Sequence, residues 1–257
     1  MCAEYGLRNE VTLLGIEVFN RYEHKYLIDR NTFEKVLKVL DEHMEIDSHN
    51  VGYRPYTIAN IYFDTEDDFL IIKSLSKPVY KEKLRVRAYG VPNENSRVYL
   101  EIKKKYNGIV NKRRTELTLT EVYKFIETGE EPSIKDYMNE QVLHEIAYFL
   151  QVHKVRPKVY IAYDRIAYFE KNNPDLRISF DNNIRTRRKD LQLEKEDYGE
   201  KLFDEDVYLM EIKTALAKPL WLTKMLNELD IKRCRFSKYG TEYKKQLKNS
   251  TDKMLNC

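Results

Sequence analysis

In the stretch VYLEIKKKYNG, residues 98–108, the aliphatic Val98, Leu100 and Ile102 alternate with Tyr99, Glu101, Lys103 and Lys105. A period of two sends successive side chains to opposite faces, so the segment predicts a strand with a glutamate and lysines on one face. Nearly the same phrase returns as VYLMEIK at 207–213, and a shorter form stands at RYEHKY, where Arg21, Glu23 and Lys25 share a face. Other segments alternate in the same way. In EKLRVRAYG (82–90), Leu84, Val86 and Ala88 oppose Arg85, Arg87 and Tyr89. In VNKRRTELTL (110–119), Lys112, Arg114, Glu116 and Thr118 oppose Arg113, Thr115, Leu117 and Leu119. KVYIAYDRIAY (158–168) aligns Ile161, Tyr163 and Arg165, and LRISFD (176–181) aligns Arg177, Ser179 and Asp181. The β-branched and aromatic run TIANIYFDT (57–65) and the segment CRFSKYG (234–240) bring the expectation to at least eight strands.

Helical spacing appears between these strands. NTFEKVLKVLDEHM (31–44) carries Phe33, Val36, Leu37 and Leu40 on one stripe, with Asn31 as N-cap and Glu34 three residues on. Residues 132–154 place Ile134, Met138, Val142, Ile146 and Phe149 in similar register, and PLWLTKMLNELD (219–230) opens on Pro219, a residue suited to a first helical turn. Amphipathic helices need an apolar surface, and the aliphatic strand faces supply one. The charged faces must then point away from the helices and toward one another. The expected fold is α+β: a closed eight-stranded antiparallel barrel with helices packed outside and a lumen wide enough for a ligand.

Composition narrows what that lumen holds. A chain of 257 residues with no Gly/Ser-rich or Pro-rich linker reads as one domain, 1–257, within the size that closed β architectures reach. The net charge of +3 lacks the basic excess of a nucleic-acid coat protein, so no nucleic-acid partner is expected and any anion site must come from local arrangement. Neither GxGxxG nor GxxxxGK[ST] occurs, and glycines number eight, so phosphates would be held by side chains. Cys2, Cys234 and Cys257 show no CxxC spacing and read as reduced thiols of a cytoplasmic protein. The opening MCAEYGLRNEVTLLGIEVF has no basic n-region, and no run of about 18 apolar residues suggests a membrane span. The run RTRRKD (185–190) and the acidic stretch after it read as a solvated connection.

Solvated sheet faces usually mix Thr, Ser, Glu, Lys and Gln, whereas these collect arginines and Glu/Lys pairs. Arginine is suited to the forked recognition of phosphate, and carboxylates offer hard oxygen ligands to a divalent metal. A strand carrying Glu and Lys on one face therefore supplies both a metal ligand and a phosphate-pairing cation.

RYEHKY, LRVRAYG, YLEIKKK, YDRIAY, LRISFD, YLMEIK and RFSKYG, in this order, resemble the catalytic domain of the vacuolar transporter chaperone (VTC) polyphosphate polymerases. That domain lies within the triphosphate tunnel metalloenzyme, or CYTH-like, superfamily, which also holds adenylate cyclases and thiamine triphosphatases. The resemblance covers a core of about residues 18–247. It implies a tunnel that binds ATP and triphosphate or polyphosphate and moves the γ-phosphate of ATP to a growing polyphosphate chain. It also implies a divalent metal, manganese by preference or magnesium. Carried over by motif, Lys25, Arg85, Arg87, Lys103, Arg165, Arg177 and Lys238 are the expected phosphate-binding cations. Lys112, Arg114, Ser179 and Tyr163 match less tightly. Glu211 is the expected metal ligand, with Glu23 and Glu101 as further carboxylates. Arg21 replaces the first glutamate of the superfamily's Glu-x-Glu-x-Lys, which disfavours the triphosphatase and cyclase branches. The remaining alternatives are a metal-dependent triphosphatase, with water as acceptor, and a polyphosphate-binding module without turnover.

Overall fold

A computed structural model describes residues 22–255 apart from Gly108 and Leu216. Arg21, Cys2, Cys257 and residues 18–20 of the expected core lie outside the described residues. The chain begins with β1 (Tyr22–Asp29), α1 (Arg30–His43), β2 (Met44–Ile46), β3 (Tyr56–Asp64) and α2 (Phe69–Leu75). A meander follows, β4 (Tyr80–Tyr89), β5 (Arg97–Tyr106) and β6 (Ile109–Thr118), then α3 (Leu119–Thr128) and α4 (Glu140–Val152). Two long strands, β7 (Arg156–Glu170) and β8 (Asn173–Arg187), precede β9 (Glu200–Lys201) and β10 (Val207–Thr214). The described chain closes with α5 (Leu220–Glu228), β11 (Arg233–Cys234) and α6 (Lys238–Leu255).

All strands join one antiparallel sheet in the order β11-β1-β10-β8-β7-β3-β4-β5-β6, with β2 on β7 and β9 on β8. The expected closed barrel is corrected here: the path has two ends, and among the described residues no ladder joins β6 to β1 or β11. The cause lies in CRFSKYG. Only Arg233 and Cys234 pair with β1, and from Lys238 the chain is the helix α6 rather than a closing strand. The sheet nevertheless curls, since Glu23 of β1 and Lys103 of β5 lie close enough to perturb one another's charge.

The alternating pattern decides which face is buried. Leu84, Val86, Ala88, Val98, Leu100, Ile102 and Leu117 form the back of the meander and pack against Val122 and Phe125 of α3 and Val142, Ile146 and Phe149 of α4. A second cluster joins Tyr26, Ile28, Ile178, Phe180, Met210 and Ile212 to Val36 and Leu40 of α1 and Leu222 and Met225 of α5. A third lies on the concave side, where Ile58, Tyr62, Ile161 and Tyr163 meet Ile71 of α2 and Tyr239 and Tyr243 of α6. Two helices therefore pack partly inside the curl, which the strand pattern alone did not predict.

Local boundaries also shift. α1 starts at Arg30 because Asp29, not Asn31, accepts from the Thr32 amide at 2.7 Å. α4 begins only at Glu140, capped by Asn139, whose own amide donates to Thr115 Oγ1; residues 132–138 are not helical. The segment RTRRKD is no solvated connection. Arg185 and Arg187 belong to β8 and are buried. Arg185 pairs with Asp197 and Asp164, Arg187 lies over the Tyr160 ring and donates to loop carbonyls, and Arg188 grips Glu242 of α6. No helix among the described residues is long and apolar enough to cross a membrane.

Candidate functional site

The concave face gathers most of the charged residues that the period-two reading singled out. On β1, Lys25 is the direct cross-strand partner of Glu211 on β10, and Glu23 that of Lys213. The Lys25 ammonium sits 3.0 Å from Glu211 and 3.2 Å from Glu23, so two carboxylates converge on one cation. Burial alone would lower the Lys25 pKa, but Glu211 and Glu23 outweigh it and raise it. Burial would raise Glu211; Lys25, Lys238, Lys213 and Arg165 instead hold it well below the usual carboxylate range.

Beside this pair lies Asp181, fully buried on β8. Arg165 donates to it twice, at 2.6 and 2.8 Å, and Lys238 from the first turn of α6 donates at 2.5 Å. Lys238 also lies over the Tyr163 ring at 4.1 Å and 3.8 Å from Glu211. Ser179 is buried on the same strand face, opposite Glu211. Arg177, two residues further, reaches Asp47 at 3.0 Å, while its buried Nε has no hydrogen-bond partner among the described residues.

A second group stands on the meander. Glu101 is buried and ringed by Arg85 at 2.7 Å, Lys112 at 3.0 Å and Arg87 at 3.7 Å. Arg85 also donates to the Tyr62 hydroxyl at 2.8 Å, and Arg87 to Asn60 Oδ1 at 3.1 Å. Arg114 is exposed and stacks over Tyr99. Lys103 has no carboxylate within 4.0 Å among the described residues. Its pKa is lowered by crowding from the walls and by Lys25 and Arg85, against the opposing Glu23 and Glu211. Burial pushes Lys83 down to about 8, with Tyr62 and Asp64 only partly compensating, and desolvation outweighs Glu101 to push Lys112 down to about 7, although its side chain is still 40% exposed. Burial alone would push the Tyr62 phenol up, yet Arg85, Lys83 and Lys238 bring it down to about 8.

The arrangement suits an anion. Cations outnumber the carboxylates Glu23, Glu101, Asp181 and Glu211, and several lysines are held where their charged form is disfavoured. A polyanion would relieve all of them together. The family model for the VTC domain matches residues 20–247. The chain belongs to the VTC domain family. None of the curated proteins matches the sequence. Among solved structures, this VTC domain is similar in fold to a candidate adenylate cyclase from Bacillus halodurans (TM-score 0.50, 13% identity, covering 84% of this chain and 92% of that one). It is equally similar to a candidate adenylyl cyclase from Hippeastrum described as having a dominant triphosphatase activity (TM-score 0.50, 16% identity, 84% and 92% coverage). At such identities the likeness is one of fold.

The VTC domain brings together Lys25, Glu23 and Glu211 with Arg165, Lys238, Ser179 and Tyr163, and Glu101 with Arg85, Arg87 and Lys112. Lys103 faces Glu23 across the curl, and Arg177 and Arg114 stand apart, on Asp47 and Tyr99. Sequence reasoning assigned no role to Lys83, Lys213, Asp181, Asn60, Tyr62 and Asp47. The first two share strand parity with Arg85 and Glu211, and Asp181 with Arg177, so alternation was a sufficient signal for them. Asp47 follows β2 in a turn, where no periodicity exists to reveal it.

Among the described residues no group of three or more His, Cys, Asp or Glu gathers as a metal cage. Divalent cations that act on phosphates need only one or two carboxylates, with phosphate oxygens and water completing the shell. Glu211 and Glu23, already converging on a single cation, fit that requirement. At Glu101, among the described residues, Arg85, Arg87 and Lys112 pair with no other carboxylate, so no second carboxylate converges there.

Proposed function

We propose that this VTC domain is a metal-dependent phosphotransferase that moves the γ-phosphate of ATP to the end of a polyphosphate chain. The observation that carries this reading is the excess of enclosed cations around two carboxylates that share one position, Glu23 and Glu211. Carboxylates that only position cations, as Asp181 and Glu101 do, need not converge on one ammonium, whereas Glu23 and Glu211 do. A divalent metal held by Glu211 and Glu23 would neutralise charge on the phosphate oxygens.

The side chains account for the rest of the chemistry. A terminal polyphosphate oxygen is ionised near neutral pH and attacks without a general base, so catalysis reduces to alignment and charge neutralisation. Asp181 fixes the Arg165 fork and keeps Lys238 beside it, so both cations are positioned before substrate arrives. Glu101 does the same for Arg85 and Arg87. Lys103 and Lys83, which pair with no carboxylate within 4.0 Å among the described residues, supply cations not committed to a counter-ion.

The test is product analysis. Purified protein with ATP and manganese should convert γ-phosphate into long polyphosphate resolved on a gel. Inorganic phosphate alone would replace this reading with a triphosphatase one, in line with the activity described for the Hippeastrum protein. Binding of triphosphate with no turnover would leave a receptor.

A further inference from the structure

Three tyrosines form a row at one end of the charged wall. Tyr56 on β3, Tyr89 on β4 and Tyr99 on β5 lie on the concave face, in strand parity with Asn60, Arg87 and Glu101. The rings of Tyr56 and Tyr89 are 6.0 Å apart, and those of Tyr89 and Tyr99 5.9 Å apart and perpendicular. His49 continues the row beyond Tyr56, and the Arg114 guanidinium covers Tyr99 at 4.6 Å. A depression lined by His49, Arg54 and Pro55 opens beside it. Tyr89 remains 48% exposed, so an aromatic surface is open to solvent at the margin of an arginine-lined channel.

The opposite end of the same wall is different. Lys81 pairs across the strands with Lys105, and Lys83 with Lys103, and the aromatic side chains beside Lys83, Tyr62 and Tyr239, are buried in the α6 contact rather than open to solvent. Like charges directly opposite destabilise a sheet unless an anion lies over them. One end therefore suits a flat aromatic group joined to phosphates, and the other suits phosphates alone.

We propose that the Tyr56–Tyr89–Tyr99 row is a nucleobase platform, so that a nucleotide enters phosphate-first from this end while polyphosphate lies along the lysine end. This rests on the phosphoryl-transfer reading above. Along β4, Arg87 follows Tyr89 inward by two residues, about 7 Å of strand, a distance a ribose bridges. Arg85 follows by the same step, so a base on Tyr89 places successive phosphates against Arg87, then Arg85 and Lys103. Every base has a π-face, so stacking here holds nucleotides without strong choice among bases.

Cross-strand tyrosines also stabilise a sheet by themselves. That role leaves the ratio of nucleotide to inorganic tripolyphosphate affinity unchanged, and the experiment reads this ratio. Calorimetric titration of the full chain without divalent metal compares ATP, tripolyphosphate and long-chain polyphosphate on wild type, Tyr89→Ala, Tyr89→Phe and Lys105→Ala. Tyr89→Ala should weaken ATP about tenfold and leave tripolyphosphate unchanged, with Tyr89→Phe close to wild type. Lys105→Ala should weaken long-chain polyphosphate and leave ATP unchanged. Equal loss of ATP and tripolyphosphate in Tyr89→Ala, or loss of neither, would overturn the platform while the phosphoryl-transfer reading stands. Wild-type protein that binds neither ligand would sink both.

Discussion

Lys25 and Glu211 face each other as cross-strand partners of β1 and β10, with Nζ 3.0 Å from Oε1 and Glu23 closing on the same ammonium. Glu211→Gln keeps the shape and removes the charge that pairs Lys25 and would hold a metal. The variant should melt at a lower temperature without ligand, recover on adding tripolyphosphate, bind that anion at least as tightly as wild type, and lose manganese-dependent ATP turnover by orders of magnitude. Undiminished turnover would reject the catalytic assignment of Glu211.

Asp181 anchors Arg165 and Lys238 from a fully buried position. Asp181→Asn leaves two enclosed cations uncompensated, so unfolding in urea should show a loss of about 3–5 kcal/mol. Added tripolyphosphate should restore more stability to this variant than to wild type. A loss below about 1 kcal/mol, the scale of exposed pairs, would show that Asp181 is not the counter-ion that the geometry makes it.

Protonation of Lys83 should be visible in binding. Burial holds its pKa near 8, with Lys81 and Lys103 adding to the depression against Tyr62 and Asp64. Because the folded-state value lies below the ordinary lysine value, this charge costs the ligand-free protein most below about pH 8, and the cost is relieved as pH rises from there. A bound polyanion favours the charged form, so tripolyphosphate affinity should fall as pH rises through about 8. Titrations in buffers of different ionisation enthalpy should show proton uptake there, reduced in Lys83→Met. Affinity rising with pH would contradict the placement of Lys83 in the anion site.

Asp64 links three elements. It accepts from the backbone amides of Thr65, Leu70 and Ile71, at 2.8 to 2.9 Å, and from the Tyr239 hydroxyl of α6 at 3.0 Å. Asp64→Ala strands buried donors, so a loss of about 2–4 kcal/mol is expected from urea unfolding. Since Lys238 is the neighbour of Tyr239, turnover should fall as well. A variant with wild-type stability would show that other groups hold α2 and α6 in place.

Much of the site was written in the strands. The alternation of Glu23 and Lys25, of Arg85 and Arg87, and of Ser179 with Arg177 is a consequence of the period of two, and it fixes these side chains to one face whatever the tertiary context. The aliphatic positions between them determined the back of the sheet and hence where α1, α3, α4 and α5 pack. Closure was not legible. It depended on whether CRFSKYG continued a ladder or turned into helix, and a segment with one paired residue, Cys234, and Lys238 at a helix start carries no periodic signal for either. The fate of Arg185 and Arg187 was equally hidden, because a basic run reads as solvated unless Asp164, Asp197 and a shell of carbonyls are brought to it from distant positions. Pairs such as Asp181 with Lys238, and the longer-range influence of Glu23 on Lys103, arise only when elements far apart in sequence bend around a common lumen, so the sequence determined which charges share a face and tertiary structure decided which charges meet.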